Sequence, residues 1–479
     1  MSQVQGILIA YALLAAVFII NENRRPQATF AWMLLFFAVP GVGILVYLLF
    51  GRNRRVFSRQ RKLVQQEVPG RLGQLLEDLG QQHDRAVAEM ERRGGPDARL
   101  ARLVRHNAHS LLTSKNEVEV LQDATAAYPR LFADLRAAKR FIYLQTYSLA
   151  SDEVGDQLKT ILLDRAASGV DVRLLYDPVG SLLMLSPFYR REMRRGGVRM
   201  EPYSPLWRLH TIGYRNHRRI VVVDGLVGYT GGLNIGQEHI HPGRGFDGWR
   251  DTHLRIEGSA TAVLQSIFAV DWRNAVGEDL QAIEFDAPTT SAQTCRRSPV
   301  QITVSGPDSQ WAAIRQLYFA MIVAAQHSVR IQSPFFVLDV SITEALKSAA
   351  LAGVDVQVMI SERGVGQVVP YWAGNTYAAE VSAAGVKVHI YRRGYLHAKV
   401  LSIDGAMCSI GSANMDIRSF SINYELNAVI YEDAIAKEVE AAFERDLASC
   451  IPFDAEAYRR RPWPKRFRDS LTRLCSPLL

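Results

Sequence analysis

The chain has 479 residues, enough for two or three domains, and its 48% hydrophobic content is that of a globular protein. Cys295, Cys408, Cys450 and Cys475 are scattered, which excludes a cysteine metal site and reads as reduced thiols in a cytosolic compartment. A net charge of +8, with a pI near 9.3, calls for an anionic partner, either nucleic acid or an acidic membrane surface.

Taken in order, the chain begins apolar. Gly6–Ile20 and Ala28–Phe50 are uncharged and mostly apolar. The second run has 23 residues. At about 1.5 Å per residue that is enough to cross a hydrocarbon core of roughly 30 Å. The first is marginal alone, and a cleaved signal peptide is its alternative. No basic residue precedes it and a second span follows closely. Both facts favour a transmembrane helical hairpin over 1–51, kinked at Pro40-Gly41-Val42-Gly43. Arg52, Arg54, Arg55, Arg59, Arg61 and Lys62 follow without an acid. That side therefore faces the cytoplasm, with both termini and the rest of the chain inside. Leu63–Val104, broken at Gly94-Gly95-Pro96, reads as amphipathic helices of a connector over 52–104.

A first unit is expected over 105–290. Arg140–Ser148 reads as a strand, Asp152–Ala167 as a helix, and Gly169–Tyr176 as a buried strand. The order returns in a second unit over 291–454. Val329–Phe336 is a strand, Ile342–Leu351 a helix, and Gly353–Ile360 a strand. Strand, helix, strand implies an α/β unit with a parallel or mixed sheet covered by helices. Ala287–Pro299, rich in Thr, Ser, Arg and Pro, is the linker.

One stretch recurs within the two units. Asn216-His217-Arg218-Arg219 runs through Ile220–Val223 to Asp224-Gly225, then to Gly231-Gly232-Leu233-Asn234. Leu396-His397-Ala398-Lys399 runs through Val400–Ile403 to Asp404-Gly405, then to Gly411-Ser412-Ala413-Asn414. His, base, Asp, Gly, Gly and Asn recur at one offset of 180 residues, which implies two like units packed together. Each copy reads as a hairpin turning at Asp-Gly. The period of two puts His217 with Arg219, and His397 with Lys399, on one strand face. Packed about a pseudo-twofold axis, two His, two cations and two Asn share one pocket.

That set suits phosphodiester chemistry. A neutral imidazole can attack phosphorus while a protonated one donates to the leaving alkoxide. The cations and the Asn234 and Asn414 amides can hold the non-bridging oxygens. A lone strand histidine is ordinarily structural, but the duplication argues against that here. Asp224 and Asp404 sit in the turns and serve either the fold or the chemistry. Asp251, in Trp249-Arg250-Asp251-Thr252, and Glu425, in Asn423-Tyr424-Glu425-Leu426, lie on later strands that return beside the histidine of their own unit. No metal-ligand spacing occurs, and the chemistry calls for no cofactor. The tail over 455–479 interleaves Arg459, Arg460, Arg461, Lys465, Arg466, Arg468 and Arg473 with Trp463 and Phe467. Such a segment fits a membrane surface or single-stranded nucleic acid, and the two apolar spans decide for lipid.

The pattern resembles the phospholipase D superfamily, whose signature is a pair of His-x-Lys-(x)4-Asp motifs. His397, Lys399 and Asp404 match fully; His217 and Asp224 match, with Arg219 in place of Lys. The wider text, such as Gly231-Gly232-Leu233-Asn234-Ile235-Gly236 and Asn423-Tyr424-Glu425-Leu426-Asn427, is similar to bacterial cardiolipin synthases over nearly the whole chain. The resemblance implies a phosphatidyltransferase of the bacterial inner membrane, acting on phosphatidylglycerol and other anionic phospholipids and releasing glycerol. It implies His217 as nucleophile, His397 as general acid and then base, and Asp251 and Glu425 as carboxylates that hold the imidazoles. Its rivals are a phospholipase D-type hydrolase and a non-catalytic membrane scaffold. Oligomeric state is left open, and no nucleic-acid partner is expected.

Overall fold

Two apolar hairpins set the centre of the molecule. Ile220–Val223 pairs antiparallel with Val227–Gly231, and Val400–Ile403 with Met407–Gly411. In the computed structural model the described residues are 11, 14–21, 26–39, 43, 47, 71–208, 213–241, 243, 246–280, 298–364 and 367–476. They fall into two units, Met1–Gln60 with Leu206–Gly213, and Arg61–Pro205 with Tyr214–Leu479.

In the larger unit each hairpin sits inside a mixed sheet. The first sheet has seven strands, in the order Asn116–Gln122, Thr252–Gly258, Val227–Gly231, Ile220–Val223, Phe141–Thr146, Asp171–Tyr176 and Arg199–Pro202. The second repeats this order with Val300–Ser305, Glu425–Ile430, Met407–Gly411, Val400–Ile403, Ser328–Ser333, Asp355–Ser361 and Lys387–Tyr391. It gains an edge strand at each side, Leu112–Thr113 and Cys450–Pro452. In both sheets the strand–helix–strand step is parallel, and the hairpin joins antiparallel. The crossover helices, Glu153–Ala167 and Val340–Leu351, start where Asp152 and Asp339 accept from the backbone N–H groups of Gly155 and Ile342.

Each sheet packs one face on its own crossover helices. A third cluster is common to both halves. It takes Tyr143, Leu254, Ile256 and Phe268 from the first, and Leu396, Ile410, Leu426 and Phe443 from the second. The two sheets are therefore joined through a shared apolar core.

Helices Arg71–Arg93 and Asp97–Ala108, broken at Gly94-Gly95, occupy the stretch read as amphipathic connector helices. Val87, Met90, Leu100 and Val104 are buried in the core of the second half. The His83 ring accepts from the Leu112 N–H at 3.0 Å, just where the chain enters the second sheet. Most of the expected linker Ala287–Pro299, residues 287–297, lies outside the described residues, as does Cys295.

In the smaller unit Trp32 and Phe36 pack on Tyr47, with ring centroids 5.1 and 5.5 Å apart. Leu14, Phe30 and Leu34 are exposed. Among the described residues no helix is long and apolar enough to cross a membrane. Helix Pro26–Ala38 has 13 residues, about 20 Å at the usual rise. The continuation of that expected span beyond Val39, and the basic cluster over 52–62, lie outside the described residues apart from Gly43 and Tyr47.

Candidate active site

The two copies of the motif meet across the shared core, and backbone pairing between the halves brings them there. Trp249 and Arg250 pair in parallel with Tyr395 and Leu396, and the His397 N–H donates to the Arg250 carbonyl at 2.7 Å. Asn216 forms a parallel bridge with Tyr424, and the His217 N–H donates to the Tyr424 carbonyl at 2.9 Å. His217–Arg219 and His397–Lys399 are thus irregular lead-ins to the strands rather than strand residues.

This pairing corrects one expectation. The acids do not return to the histidines of their own halves; they cross over. His217 Nδ1 donates to Glu425, with both carboxylate oxygens at 2.9–3.0 Å. His397 Nδ1 donates to Asp251 at 2.6 Å. Each half therefore supplies one imidazole and the carboxylate that orients the other. With Nδ1 engaged, Nε2 is the reactive nitrogen of both rings.

The carboxylates are held in turn. Asn423 donates to Glu425 at 3.1 Å, and the Ser412 hydroxyl donates to it as well. Burial pushes the Glu425 carboxyl up, but His217, Ser412 and Arg219 outweigh it and hold the group below its usual range. Asp251 accepts from the Thr252 N–H at 2.8 Å. Gly232, which stands where the second half has Ser412, makes room for it. A Cβ there would come within 1.9 Å of an Asp251 carboxylate oxygen.

The cations lie beside their histidines. Lys399 is fully buried and its ammonium donates to the His397 carbonyl. Arg219 does more. It donates to the His217 carbonyl, to Asn234 Oδ1 at 3.0 Å and to His217 Nε2 at 3.1 Å, capping the lone pair of that imidazole. The Asn414 amide oxygen is buried without a partner.

Electrostatics follow from this crowding of positive groups in a dry site. Burial, helped by Arg219, pulls His217 down to about 4 against the opposing pull of Glu425. Burial, Lys399, Arg219 and His217 hold His397 well below 6.5. Burial pulls Lys399 down to about 7 despite Asp251. Burial also lowers Arg219, but a guanidinium starts so high that it stays charged. At rest both imidazoles are neutral and Arg219 is the fixed cation.

Asp224 and Asp404 do not join this cluster, which corrects their place among the candidate catalytic groups. Both lie at the far ends of the hairpin strands with φ of 54°. Asp224 accepts from the N–H groups of Lys139, Arg140 and Phe141 at 2.8–2.9 Å. Asp404 accepts from Gln326, His327 and Ser328 at 2.7–2.9 Å. Three backbone donors offset the unfavourable left-handed conformation and tie each turn to the neighbouring strand.

Several neighbours went unread in the sequence. Tyr147 sets its ring edgewise against His217 at 4.7 Å. Arg218 forms a buried ion pair with Asp271 at 2.8 Å, and Gln145 and Asn216 also donate to that carboxylate. The signal for Asp271 was a single acid within the apolar run Phe268-Ala269-Val270-Asp271-Trp272. His239 and Trp249 stand beside His397, and nothing in their local sequence marks them.

Comparison with known proteins gives a consistent result. Residues 131–272 and 318–447 match the family described as "Cardiolipin synthase, PLD-like domain". Residues 10–52 match the one described as "Phospholipase_D-nuclease N-terminal". A cardiolipin synthase of Geobacillus sp. (strain WCH70) is 40% identical over 99% of this chain and 93% of its own. The major cardiolipin synthase of Bacillus subtilis (strain 168) is 37% identical over 98% and 97%. The crystal structure of a phosphatidylserine synthase from Haemophilus influenzae Rd KW20 aligns with a TM-score of 0.58 at 11% identity. It covers 79% of this chain and 100% of that one, a likeness of fold.

Proposed function

Because the chain belongs to the cardiolipin synthase family of phospholipase D-like proteins, we propose that it joins two phosphatidylglycerol molecules into cardiolipin and releases glycerol. The observation that carries the reading is the crossed arrangement, His217 on Glu425 and His397 on Asp251, with Arg219 and Lys399 beside the rings. His217 Nε2 attacks phosphorus of the donor, the bond to the glycerol oxygen breaks, and His397 gives that oxygen its proton. Arg219, Lys399, Asn234 and Asn414 hold the non-bridging oxygens. A second lipid's hydroxyl then passes its proton to His397 and attacks phosphorus as the bond to His217 breaks.

His397 must carry a proton for the first step, although the resting site keeps it neutral. The lipid phosphate resolves this. Its negative charge sits among the cations that depress His397, and so raises the ring's proton affinity as it binds. Incubating the protein with phosphatidylglycerol vesicles tests the reading. Cardiolipin with glycerol is expected. Phosphatidic acid with glycerol would mean a hydrolase, and no product a scaffold.

The same proposal places the chain at the bacterial inner membrane. The apolar segments over 6–20 and 28–50 form the spanning hairpin, and the remainder lies in the cytoplasm. The divisions at 51, 104, 290 and 454 belong to this reading. Its surface part rests on helix Trp463–Arg473. One side packs on helix Val369–Ser382, where Asp469 is fully buried and Arg468 and Arg473 stack on Trp372 and Tyr377. The other exposes Trp463, Phe467, Leu471 and Leu474 at helical spacing, with Arg459, Arg460 and Arg466 nearby. An apolar stripe edged by arginine suits an anionic lipid interface. A chain beginning near Arg52 is expected to bind anionic vesicles with affinity that falls as salt rises. Replacing Trp463, Phe467 and Leu471 by serine is expected to weaken that binding by roughly tenfold or more. Equal binding to neutral vesicles, or indifference to the triple change, would rule the surface out.

A further inference from the structure

His239 lies in the short turn Gln237–His239, with no side-chain exposure. Among the described residues neither of its ring nitrogens has a hydrogen-bond partner. Glu238 Oε1 is 4.0 Å from Nε2, beyond hydrogen-bond range. Trp249 Nε1 is likewise buried without a partner. Three unsatisfied polar atoms in one place are costly to a fold, and such groups call for an explanation.

Their position narrows it. The Trp249 ring touches both histidines, 4.3 Å from His239 and 5.1 Å from His397 by centroid. His239 and His397 are 6.2 Å apart. The rings that carry the orphan atoms therefore flank the imidazole that, in the reading above, exchanges protons with alcohol oxygens. An imidazole offers a donor and an acceptor, and an indole offers a donor. Burial, with His397 close by, keeps His239 neutral, so this corner offers hydrogen bonds without charge. A phosphate is better served by Arg219 and Lys399. A neutral polyol fits the corner.

We propose that His239 and Trp249 form a hydroxyl-binding subsite beside His397, which holds the glycerol head group of the departing and then of the accepting lipid. The subsite rests on the synthase reading and deepens it. The two catalytic side chains are themselves only 9% and 11% exposed, so a phosphate that reaches them brings its head group to the same buried place. Held by its other hydroxyl, the glycerol aims its reacting oxygen at His397 Nε2. That oxygen bonds to phosphorus, the phosphorus–His217 bond breaks, and the hydroxyl proton passes to His397. Water lacks the second hydroxyl and gains nothing from the corner, so the subsite favours transfer over hydrolysis.

The experiment follows exchange of labelled free glycerol into phosphatidylglycerol, together with the ratio of cardiolipin to phosphatidic acid formed. In His239→Phe and Trp249→Phe the KM for glycerol should rise by about tenfold, and the product ratio should shift toward phosphatidic acid. His239→Gln, which keeps a donor and an acceptor, should recover most of both. Thermal melting of each variant identifies any that fails to fold, and the remaining two then carry the test. A fall in kcat with glycerol KM and product ratio unchanged would make these residues structural and overturn the subsite. So would variants indistinguishable from the parent. Absence of cardiolipin from the parent protein would instead overturn the synthase reading.

Discussion

His217→Ala is expected to lower turnover on phosphatidylglycerol by on the order of ten-thousandfold or more, since it removes the one protein atom that bonds to phosphorus in the scheme. Labelled phosphatidylglycerol followed by a rapid denaturing quench should leave phosphate on His217 in the parent protein and on nothing in the variant. His217 suits the role because its proton is spoken for. Glu425 takes the Nδ1 hydrogen, and the ring stays neutral down to about 4, so Nε2 keeps its lone pair through the physiological range. His397→Ala is expected to be nearly as damaging, because glycerol would then leave as an alkoxide with no proton at hand. The two variants differ in what accumulates. Label found on His397 would reverse the roles, and label on neither histidine of an active protein would exclude a two-step transfer.

The pairing of function between the halves was legible in part. The 180-residue offset exposed His217, His397 and both cations, because side chains that share one pocket must leave equivalent segments at equivalent positions. The strand–helix–strand succession in each half was readable too, from apolar runs such as Asp171–Tyr176 and Asp355–Ser361. The crossing of Asp251 and Glu425 was not readable. It depends on the pairing of Trp249 with Tyr395 and of Asn216 with Tyr424, contacts that join distant segments and leave no periodicity in either. The strand Leu112–Thr113 was hidden in the same way. It lies in the expected first unit, just before the first sheet's strand Asn116–Gln122, but pairs with Val300 and Gln301 of the second sheet. The turn aspartates show the opposite limit. Their Asp-Gly spacing announced a hairpin correctly, and membership of a motif suggested a chemical role, whereas each side chain binds three backbone N–H groups at its turn.

Arg219 is where the chain departs from the superfamily's signature, and Arg219→Ala is expected to cost on the order of a hundredfold or more in kcat. The variant would lose the fixed charge of the site and the donor that Asn234 orients. Arg219→Lys keeps a charge, and near pH 6 its activity should stay within roughly tenfold of the parent. The two residues part company as pH rises. Lys399 is pulled to about 7 by burial in this same pocket, and a lysine at 219 would be buried as deeply. Above that pH it would shed its proton, as an arginine does not. The rate of Arg219→Lys should therefore fall more steeply than the parent's between about pH 7 and 9. The parent would decline only as far as Lys399 carries it. An unchanged slope would show that burial does not discharge a lysine there. The guanidinium also caps the His217 Nε2 lone pair at rest and must turn to the phosphate before attack, a step with no counterpart at Lys399, which bonds the His397 carbonyl instead. The halves are then chemically unequal although their strands are alike. If Arg219→Ala and His217→Ala both matched the parent on phosphatidylglycerol, the first motif would be a relic with no part in the chemistry.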